Sequence, residues 1–548
     1  MRLQTKYLIC FLVVALLAHG PRANGQQSQL GKVEFQTSGS EKAQVFFLRG
    51  LAALHSFWFE EALEAFREAT KIDPDFMMGY WGEAMASNHP LWGEQDTPAA
   101  RLVIAKIKDT PKLTARESAY LNAVRLLYGE GDKRARDLAY SAAMEKIYHD
   151  YPDDLDAAAF YALSLLGLGS DGKSYRLQAR AGAIALDVYQ KNPNHPGAAH
   201  YIIHAFDDPD HAILALPAAR RYASIAPEAH HARHMPSHIF LQLGMWPEAA
   251  ASNESAWEAS ESWMKRKQLS TSVRDYHSLH WLLYIYLQQG RYRKAEELLT
   301  LMKQTMSDTS YDNKLRPGYY ENNYVNMAAA FVVETERWNL ANTFFPVSAA
   351  PESSGPETAS GHVGHGGASM SDKVAPANQS ATLRISSANR RLPGFVRGLA
   401  ACMSGGTGTN NEAAPQTVNE LEVAAVSASA SGDQAKAEEL MKKAIALEED
   451  SGPPSGPPSL IKPSHELFGE LLLKAGKPEA AAQQFKACLL RQPNRARSLL
   501  GAARAAARSG NRAAAASAYA KFLEQWQQAD EGLPELREAR DYSKLAKR

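Results

Sequence analysis

Cysteine is scarce in this 548-residue chain: three occur, Cys10, Cys402 and Cys488, and no C-x-x-C pair is present. Once a leader containing Cys10 is removed, two remain. They could pair in an oxidising compartment, but position 488 falls where a helix wants a small core residue and reads as a buried thiol. Charge of one sign is also missing, with 60 Lys+Arg against 60 Asp+Glu and no basic stripe, so no nucleic-acid partner is expected. Beyond residue 18 no run of ~18 apolar residues appears, so the mature chain is expected to have no membrane span. The G-x-S-x-G and H-E-x-x-H patterns are absent, which removes the standard hydrolase readings. Ser237 beside His238 is an adjacency and no triad.

What is present begins with a leader. Arg2 and Lys6 flank the start of an apolar run from Tyr7 to Ala18, and Ala23-Asn24-Gly25 follows with small residues suited to cleavage. Residues 1–25 are expected to be a secretory signal peptide cleaved near Gly25, giving an exported protein, periplasmic or secreted. The alternative, a retained anchor, asks a short run to span a bilayer. Cys10 lies early in the run, where a lipoprotein anchor would not place it. The remainder is too long for one compact core.

Internal repeats organise that remainder. Gly50, Phe59, Ala62, Phe66, Ala69 and Pro74 recur in spacing as Trp246, Ala249 and Ala256; Gly290, Tyr292 and Ala295; Trp338 and Ala341; Gly432, Ala437 and Ala444; Gly469, Ala481, Phe485 and Pro493; and Gly501, Gly510, Ala515 and Tyr519. This spacing resembles the 34-residue tetratricopeptide pattern. Each unit would be two antiparallel helices in which small residues allow close approach, large ones fill gaps, and Gly or Pro ends a helix. The expected fold is all-α: a helical-hairpin solenoid wound as a right-handed superhelix, in two parts. Residues 41–345 form the first part and 389–530 the second, with a tail at 531–548. Residues 346–388, rich in Ser, Gly, Ala and Pro without periodicity, read as a disordered linker. His362 and His365 within it read as solvated loop histidines. Shorter linkers are expected at 404–416 and 452–458.

Ten of the 17 histidines lie between His195 and His280. His200 and His204, and likewise His234 and His238, are spaced i,i+4, whereas His277 and His280 are spaced i,i+3. Each spacing puts two imidazoles on one helix face with Cβ atoms ~5–6 Å apart, suited to ligating one metal with bonds of ~2.0–2.1 Å. Counting back from Ala215, Ala249 and Ala295 as position 20 of the repeat starts three units at Pro196, His230 and Tyr276. His200, His234 and His280 then hold position 5, His204 and His238 position 9, and His231 and His277 position 2. The resemblance implies that these positions face the concave groove. His200, His204, His234, His238, His277 and His280 are therefore the candidate metal ligands. Pro236 either starts its helix or kinks it; a start there would weaken the His234–His238 pair.

Around them, Asp207, Asp208 and Asp275 are candidates to orient imidazoles, with His231 beside them, and Arg233, Arg274 and Tyr284 are candidates to bind an anion or substrate. Trp81, His89 and Trp92 are candidate groove aromatics, the alternative being core and cap packing. A donor set rich in imidazole and poor in thiolate suits copper, zinc or iron. Six histidines on two metals would suit a coupled copper pair, and fewer a single zinc with an open position.

The stretches Tyr80–Trp92, Asn194–His211, Ile225–Asn253 and Gly469–Asp530, above all Met-Pro-Ser-His-Ile-Phe at 235–240, resemble a family of bacterial exported tetratricopeptide proteins with a His-rich repeat region. The resemblance implies fold and export but no established reaction, and it leaves the linker unmatched. Two functions stay open: a metal-binding solenoid, with oxidoreductase or hydrolase chemistry as its enzymatic form, and a non-catalytic scaffold gripping a peptide or protein partner in the same groove.

Overall fold

A computed structural model describes residues 29–169, 175–307, 318–346, 387–406, 415–454, 456 and 461–546. The leader at 1–25, almost all of the linker at 346–388 with His362 and His365, and the end of the tail lie outside the described residues. Antiparallel helix pairs follow one another along the chain: Glu41–His55 with Phe59–Ile72, Leu155–Leu168 with Tyr175–Lys191, Pro196–Ala205 with Ala212–Ile225, Tyr276–Gln288 with Tyr292–Met306, and Ala496–Arg508 with Arg512–Gln525. The fold is thus an all-α helical-hairpin solenoid. No described helix is long and apolar enough to cross a membrane.

Side-chain caps start many of these helices. Thr114, Asp132, Asp154, Asp275, Thr417 and Asn511 each accept a backbone N–H of the first turn, satisfying a donor that has no partner inside the helix. Between helices, large residues enter spaces left by glycine. A Cβ at Gly50 or Gly82 would meet the Phe66 ring at 2.8 and 2.3 Å, and one at Gly469 or Gly501 would meet Phe485 at 2.8 and 2.3 Å. The same repeat position therefore builds the same interlock at both ends of the chain.

One turn position has a fixed handedness. The residue between the two helices of a hairpin is left-handed at Gly244, Gly290, Gly432, Gly476 and Gly510, with φ from +65° to +88°. Phe57 and Glu336 occupy the same position with φ of 52°, at a cost of roughly 1–2 kcal/mol for a residue bearing a Cβ. A second departure from the repeat lies between the helices Met77–Met85 and Thr97–Ile104. There Asn88–His89 pairs antiparallel with Glu94–Gln95 as a minimal β-hairpin, in place of a tight helix–helix turn.

The two ends of the solenoid fold back on its middle. At the front, His200 Nδ1 donates to the His55 carbonyl (2.7 Å) and Lys32 N–H to the Asn194 carbonyl (2.9 Å). At the back, Trp246 Nε1 donates to Asn494 O (2.9 Å) and Trp526 Nε1 to Gln288 O (3.0 Å). Arg495, fully buried, donates to Glu466 (2.8 Å), Tyr284 Oη (2.9 Å) and Glu334 (2.5 Å). The apolar interior divides near Phe240, inside a helix, and the C-terminal repeats share their core with residues 240–345. Cys402 and Cys488 form no disulfide, and burial pushes the Cys488 thiol up to about 12.

Gly244 sits where the back closure is tightest: a Cβ there would lie 2.3 Å from Pro493 O, whereas one at Gly432 would meet nothing within 4 Å. Both Gly→Ala changes force a left-handed alanine, costing about 1 kcal/mol. Only Gly244→Ala also pries Pro493 and Asn494 away, so urea unfolding should show a clearly larger loss for it. Equal losses in the two variants would rule out a tight closure at Pro493.

Candidate metal centre

Three consecutive first helices begin at Pro196, His230 and Tyr276, the starts given by the repeat count. Pro236 does not end the second one. Met235 keeps right-handed helical dihedrals (φ −53°, ψ −36°) between His230–His234 and Pro236–Gln242, so the chain passes Pro236 as a kinked helix, and His234 and His238 stay on one face.

The histidines gather as two trios: His200, His204 and His231, then His234, His238 and His277, each with one nitrogen per ring within 4.8 Å of the others. Both have one composition, positions 5 and 9 of one repeat and position 2 of the next. Across the trios, His231 lies 5.8 Å from His234 and His204 lies 5.8 Å from His238, centroid to centroid.

Hydrogen bonds assign the ring protons. His234 Nδ1 lies 2.6 Å from Asn253 Oδ1, and that amide is oriented by its own Nδ2 donating to Ala249 O at 2.9 Å. His238 Nδ1 lies 2.7 Å from Asp207 Oδ2, and Gln242 Nε2 steadies the same carboxylate at Oδ1 (3.1 Å). Both Nδ1 atoms are therefore donors, and in neutral rings both Nε2 atoms are acceptors. Those two Nε2 atoms face each other at 3.1 Å. Two neutral acceptors cannot hydrogen-bond to each other, so the two lone pairs stand opposed. A proton is poorly suited to lie between them, since burial lowers the pKa of His234. Two nitrogens bound to one metal at ~2.0–2.1 Å stand roughly 2.9–3.4 Å apart.

The first trio repeats the theme. His200 Nδ1 donates to the His55 carbonyl, leaving Nε2 as an acceptor 3.0 Å from His204 Nε2. Burial pushes His200 down to about 3. His231 Nε2 is buried with no hydrogen-bond partner, a state costing about 1–3 kcal/mol unless something binds it, and burial holds its pKa well below the ordinary value.

A third cluster, His55, Asp156 and His195, has different chemistry. His195 Nδ1 accepts the Ala198 N–H (3.2 Å) as a helix cap, so its Nε2–H points at Asp156 Oδ1 (3.3 Å). His55 Nε2 points at the same oxygen (2.8 Å), and its Nδ1 accepts from Tyr201 Oη (2.9 Å). No ring lone pair is left for a metal. Burial opposes ionisation of Asp156, but the two imidazole N–H groups outweigh it and hold its pKa low. The cluster fixes the His55 carbonyl under His200. A Cβ at Gly197 would lie 2.5 Å from His55 Nδ1, so glycine is required there.

Among the sequence candidates, five of the six expected ligands lie in the trios, and His231, expected beside the ligands, completes the first. His280 lies apart, its Nδ1 3.0 Å from Asn323 Oδ1, because the following helix offers asparagine where the other two offer histidine. Asp207 orients His238 as expected. Asp208 instead binds His211 (2.8 Å), and Asp275 caps its own helix and meets His230 (3.1 Å). Arg233 donates to the Pro227 carbonyl, Arg274 to Tyr276 Oη, and Tyr284 meets Arg495; none of the three faces the trios. Trp81 is core, packed by Phe47, Tyr120 and Phe160. Trp92 stands 6.3 Å from His231, and His89 stacks on Phe59 at 3.9 Å. Trp281, 4.2 Å from His238 and 5.1 Å from His234, walls the second trio and was missed. Its only local signal was position 6, one residue past the groove-facing face.

Residues 43–76 match the tetratricopeptide repeat family. No curated protein matches the chain. Solved structures similar to it include Ypp1, at 10% identity over 91% of this chain and 88% of that one with a TM-score of 0.34. The human IFIT1 dimer with m7Gppp-AAAA is similar at 12% identity over 94% and 91% with a TM-score of 0.33. Yeast Tom70 is similar at 10% identity over 92% and 88% with a TM-score of 0.23.

Neutral burial of histidine makes the metal-free fold acid-sensitive. Burial pushes His55 and His280 from 6.5 to about 4. As pH falls through 6.5 the unfolded chain takes up protons that the folded one refuses until about pH 4, so stability declines across that window. Each ring contributes roughly 3 kcal/mol over it. Urea unfolding of metal-free protein between about pH 7 and 4.5 should show the decline, and His280→Gln should lessen the slope. An unchanged slope in that variant would contradict neutral burial of His280.

Proposed function

We propose that this protein binds transition metal in a six-histidine centre made of two three-histidine sites on adjacent repeats. The observation that carries the reading is the opposition of the His234 and His238 lone pairs at 3.1 Å, with both Nδ1 protons committed elsewhere. The partnerless His231 Nε2 supports it from the other trio. Three imidazoles leave a fourth tetrahedral corner for water or substrate. Neutral nitrogen donors without thiolate suit copper, zinc or iron, and two such sites side by side suit metal-dependent oxidoreductase chemistry, with hydrolysis at a zinc as the other enzymatic form. We further propose, from residues 1–25, that the chain is exported.

In this scheme the chain's own residues hold protons in place. Asn253, Asp207 and the His55 carbonyl keep Nδ1 protonated and turn Nε2 inward, and the carboxylate of Asp207 raises the basicity of His238. The second reading, a groove that grips a peptide or protein partner without metal, draws on the repeat fold and requires none of these proton assignments.

Metal analysis after loading with copper, zinc or iron should give about two ions per chain, following one ion per three-histidine site. His204→Ala and His238→Ala should each remove one, and His280→Ala none. Absence of stoichiometric metal under every loading condition would leave the scaffold reading.

A further inference from the structure

The first trio is covered by a residue that the repeat does not otherwise use. The left-handed turn position is glycine at Gly244, Gly290, Gly432, Gly476 and Gly510 and is Glu336 in one other hairpin; in the hairpin that meets the first trio it is Phe57, at φ 52°. Strained backbone of this kind persists where the surroundings over-determine it and clusters at functional sites. The buried Phe57 ring touches all three imidazoles of that trio. It lies edge-on to His200 at 4.3 Å, stacked on His231 at 5.8 Å and stacked on His204 at 5.9 Å. A second irregular element of the solenoid arrives at the same place. The Asn88–His89/Glu94–Gln95 hairpin brings Trp92 to 5.4 Å from Phe57 and 6.3 Å from His231. Two separate departures from the repeat thus converge on one set of ligands, whereas Trp281 at the second trio comes from an ordinary helix position.

We propose that Phe57 is the specificity-determining residue of the first trio: its buried ring screens a metal there from hydrated anions more than from small uncharged donors. The inference rests on the metal reading above. An anion passing an apolar ring must shed water without compensation, whereas a small neutral azole has less hydration to lose.

The full chain, loaded with copper(II) and compared with Phe57→Gly and Phe57→Tyr, is titrated spectroscopically with azide and with imidazole. Glycine is the repeat's own residue at this position, so the first variant keeps the turn. Phe57→Gly should retain the wild-type metal content and bind azide about tenfold more tightly, with imidazole affinity changed less than about threefold. Phe57→Tyr, which keeps the ring, should track the wild type. Equal azide affinity in the wild type and Phe57→Gly, at full metal content, would overturn the assignment while leaving the metal centre standing. Loss of an ion in Phe57→Gly would overturn it too, making Phe57 a packing residue for the ligands. A wild-type chain that takes up no metal overturns the centre and the assignment together, and is told apart by the metal content alone.

Discussion

Everything at the centre depends on which nitrogen of each ring keeps its proton. An imidazole buried among imidazoles is ambiguous until its neighbours choose a tautomer for it. Here the choice is made by acceptors drawn from three separate places: a second-helix amide at Asn253, a loop carboxylate at Asp207, and the carbonyl ending the helix Glu41–His55. Each acceptor is itself held, by Ala249, by Gln242 and by the His55–Asp156–His195 network respectively. Burial keeps the pKa of His200, His231 and His234 low. That burial disfavours protons as the counterpart of their lone pairs.

Much of this was readable before any coordinates. The count back from Ala215, Ala249 and Ala295 found the first residues of three helices, and the groove-facing positions held the histidines that meet. What escaped was the stagger between neighbouring helices. Side chains at positions 5 and 9 of one helix close on position 2 of the next, so His231 completes the first trio. The same rule sets His280 against Asn323, a residue on a helix that the histidine spacing never pointed to. Stagger belongs to the packing of two hairpins and is written in neither one alone. Trp81 keeps position 5 of a helix that starts at Met77, yet Tyr120 and Phe160, from helices far along the chain, close over it and make it core.

The supporting network was harder to see. His55 is far along the chain from both His200 and Asp156 and meets them because the solenoid folds its first hairpin onto the Pro196–Ala205 helix. His195 offered a local clue, since it directly precedes Pro196 and sits where a capping residue belongs. Arg495 and its partners, which fasten the C-terminal repeats, gave no spacing signal at all, because a buried guanidinium is recognised only by the carboxylates that surround it.

The closure of both ends onto the middle changes how such a chain should come apart. Repeat arrays ordinarily touch only their nearest neighbours and can fray unit by unit from a terminus. In this molecule Trp526 holds Gln288, Asn494 holds Trp246, and the first hairpin holds the helix at Pro196. Losing a terminal unit therefore strips contacts from the centre of the array, and melting takes on the all-or-none character of a globular domain. The groove histidines then keep their alignment until the whole molecule lets go.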